Sequence, residues 1–288
     1  MDLVAILALD VLSGAASLVL LCLGLAVIFG MMRIFNLAHG EFLMLGAYAT
    51  VVATHAGINV WLSIFIIAPV VVGLIGVAVE RCLIRFLYGR TIDTMLATWG
   101  LSLLLSGLVA TIFGNTMKSV PTPFGGFSIG AYRFSLYTLV LIIVAIALLM
   151  SSWALLRYTR VGLIARATMQ DRQMAAALGV DPGRVYMFAF GIGAALTGLA
   201  GGLLAPVLGV APTMGAAYLA KAFITVVGGG AAIIAGTASA SAIFGSINQV
   251  VSYWTTPIFG EVALLISAII LIRFVPQGVS ARFFRRSL

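Results

Sequence analysis

Apolar residues run along this chain in long blocks separated by short polar breaks. Residues 10–32, 36–54, 58–79, 94–113, 135–156, 185–208, 218–235, 236–253 and 261–274 each read as one such block, near the roughly 20 residues a helix needs to cross the hydrocarbon of a bilayer. Strands of a membrane barrel would be shorter and polar on alternate positions, so a β-barrel is excluded. The pattern predicts an all-α, polytopic helical bundle of eight or nine spans, with residues 1–288 forming a single transmembrane domain. The count carries a range because 36–54 and 218–253 are short or rich in small residues. Each reads equally as a half-helix or a re-entrant piece.

Composition removes the soluble alternatives. Of the 288 residues 62% are hydrophobic and 8% charged, with a mean hydropathy of +1.20, so the partner of most side chains is membrane lipid. The net charge of +8 does not point to nucleic acid. The basic residues lie in short loops between apolar blocks, where they set orientation. Arg81, Arg85 and Arg90, the stretch 157–184, and the terminal Arg282, Arg285 and Arg286 are expected on the cytosolic side of a bacterial-type inner membrane. The N-terminus and the loop 114–133 are then outside and the C-terminus is cytosolic. Asp2 and Asp10 precede the first basic residue, Arg33, so the start lacks the positive region of a signal peptide. Cys22 and Cys82 sit in or at the end of apolar blocks and read as buried small hydrophobes.

The stretch 157–184 concentrates five of the 16 basic residues and two of the eight acids. Residues 163–178 contain neither Pro nor Gly and predict a short helix with Leu163, Ala167, Met174 and Leu178 near one face. Gly179 suits a left-handed cap, Asp181 an N-cap, and Pro182 the first position of the next helix. This describes a cytosolic helix joined to the following span by a sharp turn. Arg166, Asp171, Met174, Ala175, Ala176, Leu178 and Gly179 are the candidates for contact with a soluble partner. The plainer reading is a solvated loop that anchors topology.

Polar side chains inside the apolar blocks are the candidates for solute contact, because they are costly in lipid and tend to face the bundle interior or water. Asn36, His39 and Glu41 form the densest group, and Thr98, Trp99 and Ser102 offer a hydroxyl-and-indole face on a later block. A structural reading competes: Asn36 caps a helix while His39 and Glu41 pair with each other or with Arg33. Lys221 is expected to snorkel, and Asn248, Gln249 and Glu261 to serve as interhelical or interfacial polar groups. Gly191, Gly193, Gly198 and Gly202 put small faces at helical spacing for close packing. The adjacent Gly228, Gly229 and Gly230 mark a break or a tight crossing.

Chemistry of its own is not written in the chain. With only His39 and His55 there is no H-E-x-x-H metal frame. No lysine follows a glycine, so a Walker A phosphate loop is missing. No catalytic residue, metal or bound cofactor is expected, and any energy from ATP must come through a partner.

Several segments resemble a known family. Arg160-Val-Gly-Leu with Arg166-Ala, Ala175-Ala-Ala-Leu-Gly-Val180 and Arg184-Val look like the cytosolic loop of ABC importer permeases for branched-chain amino acids, urea and short-chain amides. Phe35-Asn-Leu-Ala-His-Gly-Glu-Phe42, Leu45-Gly-Ala-Tyr48, Glu80-Arg81, Lys221-Ala-Phe223 and Pro276-Gln-Gly278 extend the likeness over about residues 11–280. The pair RFLYGR (85–90) and LATWG (96–100) resembles the urea branch most. The resemblance implies a second related permease, two cytosolic ATPases using ATP and Mg, and an external solute-binding protein. The 157–184 stretch would be the coupling element. One departure stands out: Gly228-Gly-Gly-Ala-Ala-Ile-Ile234 replaces the family's usual Gly-Gly-x-Gly-Ser/Asn. The rival is a self-sufficient channel or facilitator for a small neutral solute.

Overall fold

The computed structural model describes residues 2–129, 132–230, 232–275 and 277–280; the basic tail at 282–286 lies outside them. Helices dominate: α1 (Asp2–Met32), α2 (His39–His55), α3 (Val60–Leu62), α4 (Ala68–Cys82), α5 (Thr91–Phe113), α6 (Leu136–Tyr158), α7 (Arg160–Gln170), α8 (Arg172–Ala177), α9 (Pro182–Leu208), α10 (Met214–Gly229), α11 (Ile233–Trp254) and α12 (Pro257–Phe274). A π turn, Ser63–Ile67, joins α3 to α4 into one span. Among the described residues six helices are long and apolar enough to cross a membrane, or up to seven if α10 and α11, bent by 117° at their junction, count as one. The chain is thus a polytopic helical membrane protein. The 17-residue α2 falls just below that length, as its short apolar block suggested.

The contacts divide the chain into two units, 1–22 with 122–150 and 221–288, and 23–121 with 151–220. In the second unit, α9 is the central element, packed on α2 and α4 through glycines. A Cβ on Gly46 would collide with the backbone of Gly198, and one on Gly201 with the carbonyl of Leu43. One on Gly198 would come 2.6 Å from Val72 Cβ. In lipid no hydrophobic drive holds helices together, so this backbone proximity and the dispersion contacts it allows supply the cohesion. Ile28, Phe42, Val72, Phe190 and Ala194 fill the space alongside, with Phe42 and Phe190 edge to face at 5.9 Å.

In the first unit the expected break at Gly228–Gly230 is both a break and a crossing. Gly230 has φ +84, and a Cβ on Gly229 would meet the Gly236 carbonyl carbon at 2.6 Å. The loop 114–133 holds a hairpin that the apolar pattern did not show: β1 (Gly126–Ile129) pairs antiparallel with β2 (Tyr132–Ser135). Lys221, expected to snorkel, is instead mostly covered and paired with Glu261 at 2.5 Å. The cysteines divide: Cys22 is buried as expected, whereas Cys82 is exposed at the end of its helix.

Candidate translocation and coupling sites

The polar segment after α1 begins with a forced turn. Arg33 ends the helix at φ 51, the one non-glycine residue in the left-handed region among the described residues. The Asn36 side-chain oxygen then accepts the Ala38 N–H at 3.0 Å, a local turn that aims the chain into α2. The Leu37 N–H donates to Thr98 Oγ1 at 3.1 Å, so α5 holds the exposed backbone of this turn. One helical turn later Ser102 donates to Glu41 Oε1 at 2.9 Å.

Asn36, His39, Glu41 and Thr98 are all buried, none more than 3% exposed. His39 Nδ1 lies 3.5 Å from Thr197 Oγ1 of α9. The structure joins Glu41 to Ser102 and His39 to Thr197, partners that the sequence did not suggest. Trp99 does not join them. It is 56% exposed, because a helix turns about 100° per residue and points it away from the Thr98–Ser102 face.

Three polar atoms here have no hydrogen-bond partner: Asn36 Nδ2, Glu41 Oε2 and Tyr48 Oη. Buried polar groups are nearly always satisfied, and each orphan costs about 1–3 kcal/mol. Three within one short segment, inside a membrane bundle, are a concentrated cost that lipid cannot relieve. Glu41 Oε2 sits where a Cβ on Gly215 would be, so the carboxylate has room because residue 215 has no side chain. Tyr48 is seven residues beyond Glu41 on the same side of α2, its ring 4.9 Å from that of Phe113. Sequence reasoning passed over Tyr48; its i+7 spacing from Glu41 was the available signal.

The stretch 157–184 is helical with the expected punctuation but one correction. The continuous helix over 163–178 is broken at Asp171, which leaves helical geometry at φ −148 and ψ 107. Its carboxylate accepts the Gln173 and Met174 N–H groups at 2.8 and 2.9 Å. Asp is a poor helix-interior residue and a strong N-cap, so it starts α8 rather than continuing α7. Gly179 takes φ +87, and Asp181 caps α9 by accepting from Gly183 and Arg184. Leu163, Met174 and Leu178 stand at least 59% exposed, and Ala176 is exposed beside them, while Ala175 is buried. Arg166 is held close, its Nε donating to Gly162 O at 3.4 Å.

A cluster not anticipated from sequence ties α8 to the spans. The Arg172 guanidinium lies over the rings of Tyr88 and Tyr186, 5.7 and 5.6 Å from their centroids. The two rings meet edge to face at 5.2 Å, and the Tyr88 hydroxyl donates to the buried Glu80 carboxylate. Burial first, and then the neighbouring carboxylate, push the Tyr88 phenol above its ordinary range. Its proton is therefore firmly kept for Glu80.

Similarity to known proteins agrees with this architecture. Residues 7–275 match the family described as branched-chain amino acid transport system, permease component. The chain is 28% identical over 279 residues to the high-affinity branched-chain amino acid permease protein LivH of Salmonella typhimurium, covering 91% of each chain. Identity is the same to LivH of Escherichia coli, and 26% over 283 residues to BraD of Pseudomonas aeruginosa, again at 91% of each. The fold resembles PsaBC from Streptococcus pneumoniae, solved in complex with a Fab, with a TM-score of 0.52 at 13% identity over 95% and 94% of the two chains. A match spanning nearly every described helix places this chain in the branched-chain amino acid transport system permease family, as a transport subunit rather than an enzyme.

Proposed function

We propose that this chain is the membrane-spanning subunit of an ATP-driven importer for a small nitrogenous solute. An external binding protein delivers the solute, and two cytosolic ATPases, using ATP and Mg, drive the cycle against this chain and a second related permease. The observation that carries the solute route is the set of unpartnered atoms on Asn36, Glu41 and Tyr48. They offer an amide donor, a carboxylate acceptor and a hydroxyl that does both. A molecule that both donates and accepts hydrogen bonds suits groups of these kinds, and this reading takes urea or a short-chain amide first and a branched-chain amino acid second. The RFLYGR and LATWG segments support the first solute class. The names of the LivH and BraD relatives support the second. His39, Thr98 and Ser102 hold the lining in place; Trp99 stands outside it.

Coupling runs through α7 and α8. The exposed Met174, Ala176 and Leu178 are the side chains an ATPase would grip, with Asp171 and Gly179 fixing the ends of this segment and Ala175 buried. Arg172 links that helix to Tyr88 and Tyr186, so a push on α8 reaches the feet of α4 and α9 together. Those helices pack on α2, which carries the solute-facing atoms.

The test is uptake of labelled urea and labelled leucine into cells expressing the complete transporter, with Glu41 intact or replaced by Gln. The reading expects one label to accumulate, competed by its own class, and the replacement to abolish it at unchanged membrane level. Equal uptake by the Glu41→Gln protein contradicts a solute role for this segment.

A further inference from the structure

Glu41 and Tyr48 are buried, so a solute reaches their unpartnered atoms only when one wall around them moves. The walls differ in how firmly they are held. Helix α9 meets α2 backbone to backbone, at Gly46 with Gly198 and at Gly201 with Leu43, and parting them forfeits the contacts that hold helices together in lipid. Helix α5 is held more lightly. Its buried residues are Thr94, Thr98 and Val109, and it meets α2 through the Glu41–Ser102 bond and the Tyr48–Phe113 rings.

The far end of α5 is tied down by one short device. Gly114 ends α5 at φ +77, and Gly209 ends α9 at φ +70. Just beyond them the Lys118 and Val210 N–H groups each donate to the other's carbonyl at 2.8 Å, forming an isolated antiparallel bridge. Val210 and Val120 are buried there, and Met117 Sδ lies 3.0 Å from where a Cβ on Gly209 would stand. The Lys118 ammonium is 5.3 Å from the centroid of the Phe113 ring, which itself lies against Tyr48. On the other side, the chain leaving Val210 returns at Gly215, where the open oxygen of Glu41 sits. The bridge thus joins the two segments that flank the unpartnered atoms. Helix α9 has 27 residues, about 40 Å at 1.5 Å per residue, so this device lies at its opposite end from α8.

We propose that the Lys118–Val210 bridge is a strap that closes the solute lining at the end away from the coupling helices, and that it parts to admit solute. The inference rests on the reading of Glu41 and Tyr48 as that lining. A ladder of many pairs would make a poor moving part. One pair exchanges two hydrogen bonds, which water replaces once the strands separate. Elements that move for binding are drawn from the weakly held parts of a fold, and the strap meets that description where the α2–α9 crossing does not. Parting it lets Phe113 swing off Tyr48 with α5, and opens the way past Gly215 to Glu41.

The experiment locks the strap. Residues paired in this way lie about 5.5 Å apart between Cα atoms, inside the roughly 4.4–6.8 Å span of a disulfide. Lys118→Cys with Val210→Cys is made in the complete transporter, with the exposed Cys82 replaced by Ser. Uptake of labelled urea and labelled leucine is followed before and after oxidation with copper phenanthroline. Oxidation should form the disulfide and abolish uptake, and dithiothreitol should restore it, while neither single cysteine responds. A disulfide that leaves uptake undiminished overturns the proposal, as does a pair that fails to cross-link. A parent transporter that accumulates neither label contradicts the proposed solutes and not the strap. In that case, or if the reduced double variant is inactive, maleimide labelling of Lys118→Cys alone decides. That position is half-buried, and the substitution keeps both backbone bonds. Labelling should quicken while the ATPases turn over and slow when their phosphate-loop lysines are replaced; equal rates overturn the strap.

Discussion

Ser102 donates a 2.9 Å hydrogen bond to one oxygen of Glu41 and leaves the other without a partner. The two residues lie 61 positions apart on α5 and α2, and their contact fixes a buried carboxylate with one face open. Removing the hydroxyl should cost more in transport than in folding. Ser102→Ala removes a bond worth about 1–2 kcal/mol, hence about 5- to 30-fold in the population of the competent arrangement. Initial uptake rates should fall by that order while immunoblots of the membrane fraction stay level. Unchanged uptake would mean that the orientation of Glu41 is immaterial.

The α2–α9 crossing depends on two glycines facing each other. A methyl on Gly46 meets the Gly198 backbone, which cannot swing aside as a side chain would. Gly46→Ala should destabilise by about 1–3 kcal/mol and lower the melting temperature of the purified chain. Gly107→Ala meets nothing within 4 Å and should be neutral or slightly stabilising. Equal melting temperatures would contradict the close crossing.

Asp171 decides that α7 and α8 are two helices. Asp171→Ala removes the cap and should cost about 1 kcal/mol locally, with α7 free to run on into α8. ATP-dependent uptake should drop, and Asp171→Asn, which can still cap, should restore most of it. Equal activities for Ala and Asn would show the break to be incidental.

The exposed face of α8 should be needed for energy coupling and dispensable for folding. Ala176→Asp with Leu178→Asp puts two charges on a surface already open to solvent. Membrane level and melting temperature should hold, while transport and co-purification of the ATPases are lost. Normal uptake in this double variant would remove α8 from the coupling path.

Tyr88→Phe should act through stability. It leaves the buried Glu80 without its phenol donor, a loss of about 1–3 kcal/mol, while Arg172 keeps its two rings. A lowered melting temperature is expected, and none of the effect should appear in Tyr186→Phe, whose hydroxyl has no part in the Glu80 contact.

Local signals in the chain gave correct local structure. Gly179, Asp181 and Pro182 end one helix and start the next because capping is decided within a few residues, and the apolar blocks gave most of the spans. Asp171 was misread because a run without Pro or Gly looks continuous. The competition between a helix interior and a cap turns on one side chain finding two N–H groups. The site was legible only as a set of polar residues. Which of them meet depends on contacts such as Glu41 with Ser102 and His39 with Thr197, separated by 61 and 158 positions, and no periodicity encodes those. Tyr48 looked like an ordinary aromatic until its hydroxyl was found buried and unpaired. The Arg172–Tyr88–Tyr186 cluster draws on three separate segments and was invisible for the same reason.

The most direct measurement of the central claim is solute accumulation by the assembled transporter in membrane vesicles, with the partner ATPases intact and with their phosphate-loop lysines replaced. The account predicts accumulation against a gradient that vanishes with the lysines, while this chain remains in the membrane at its normal level. Solute entry that persists at the same rate without ATP hydrolysis would contradict it, and would make the chain a facilitator with α7 and α8 serving only to anchor its topology.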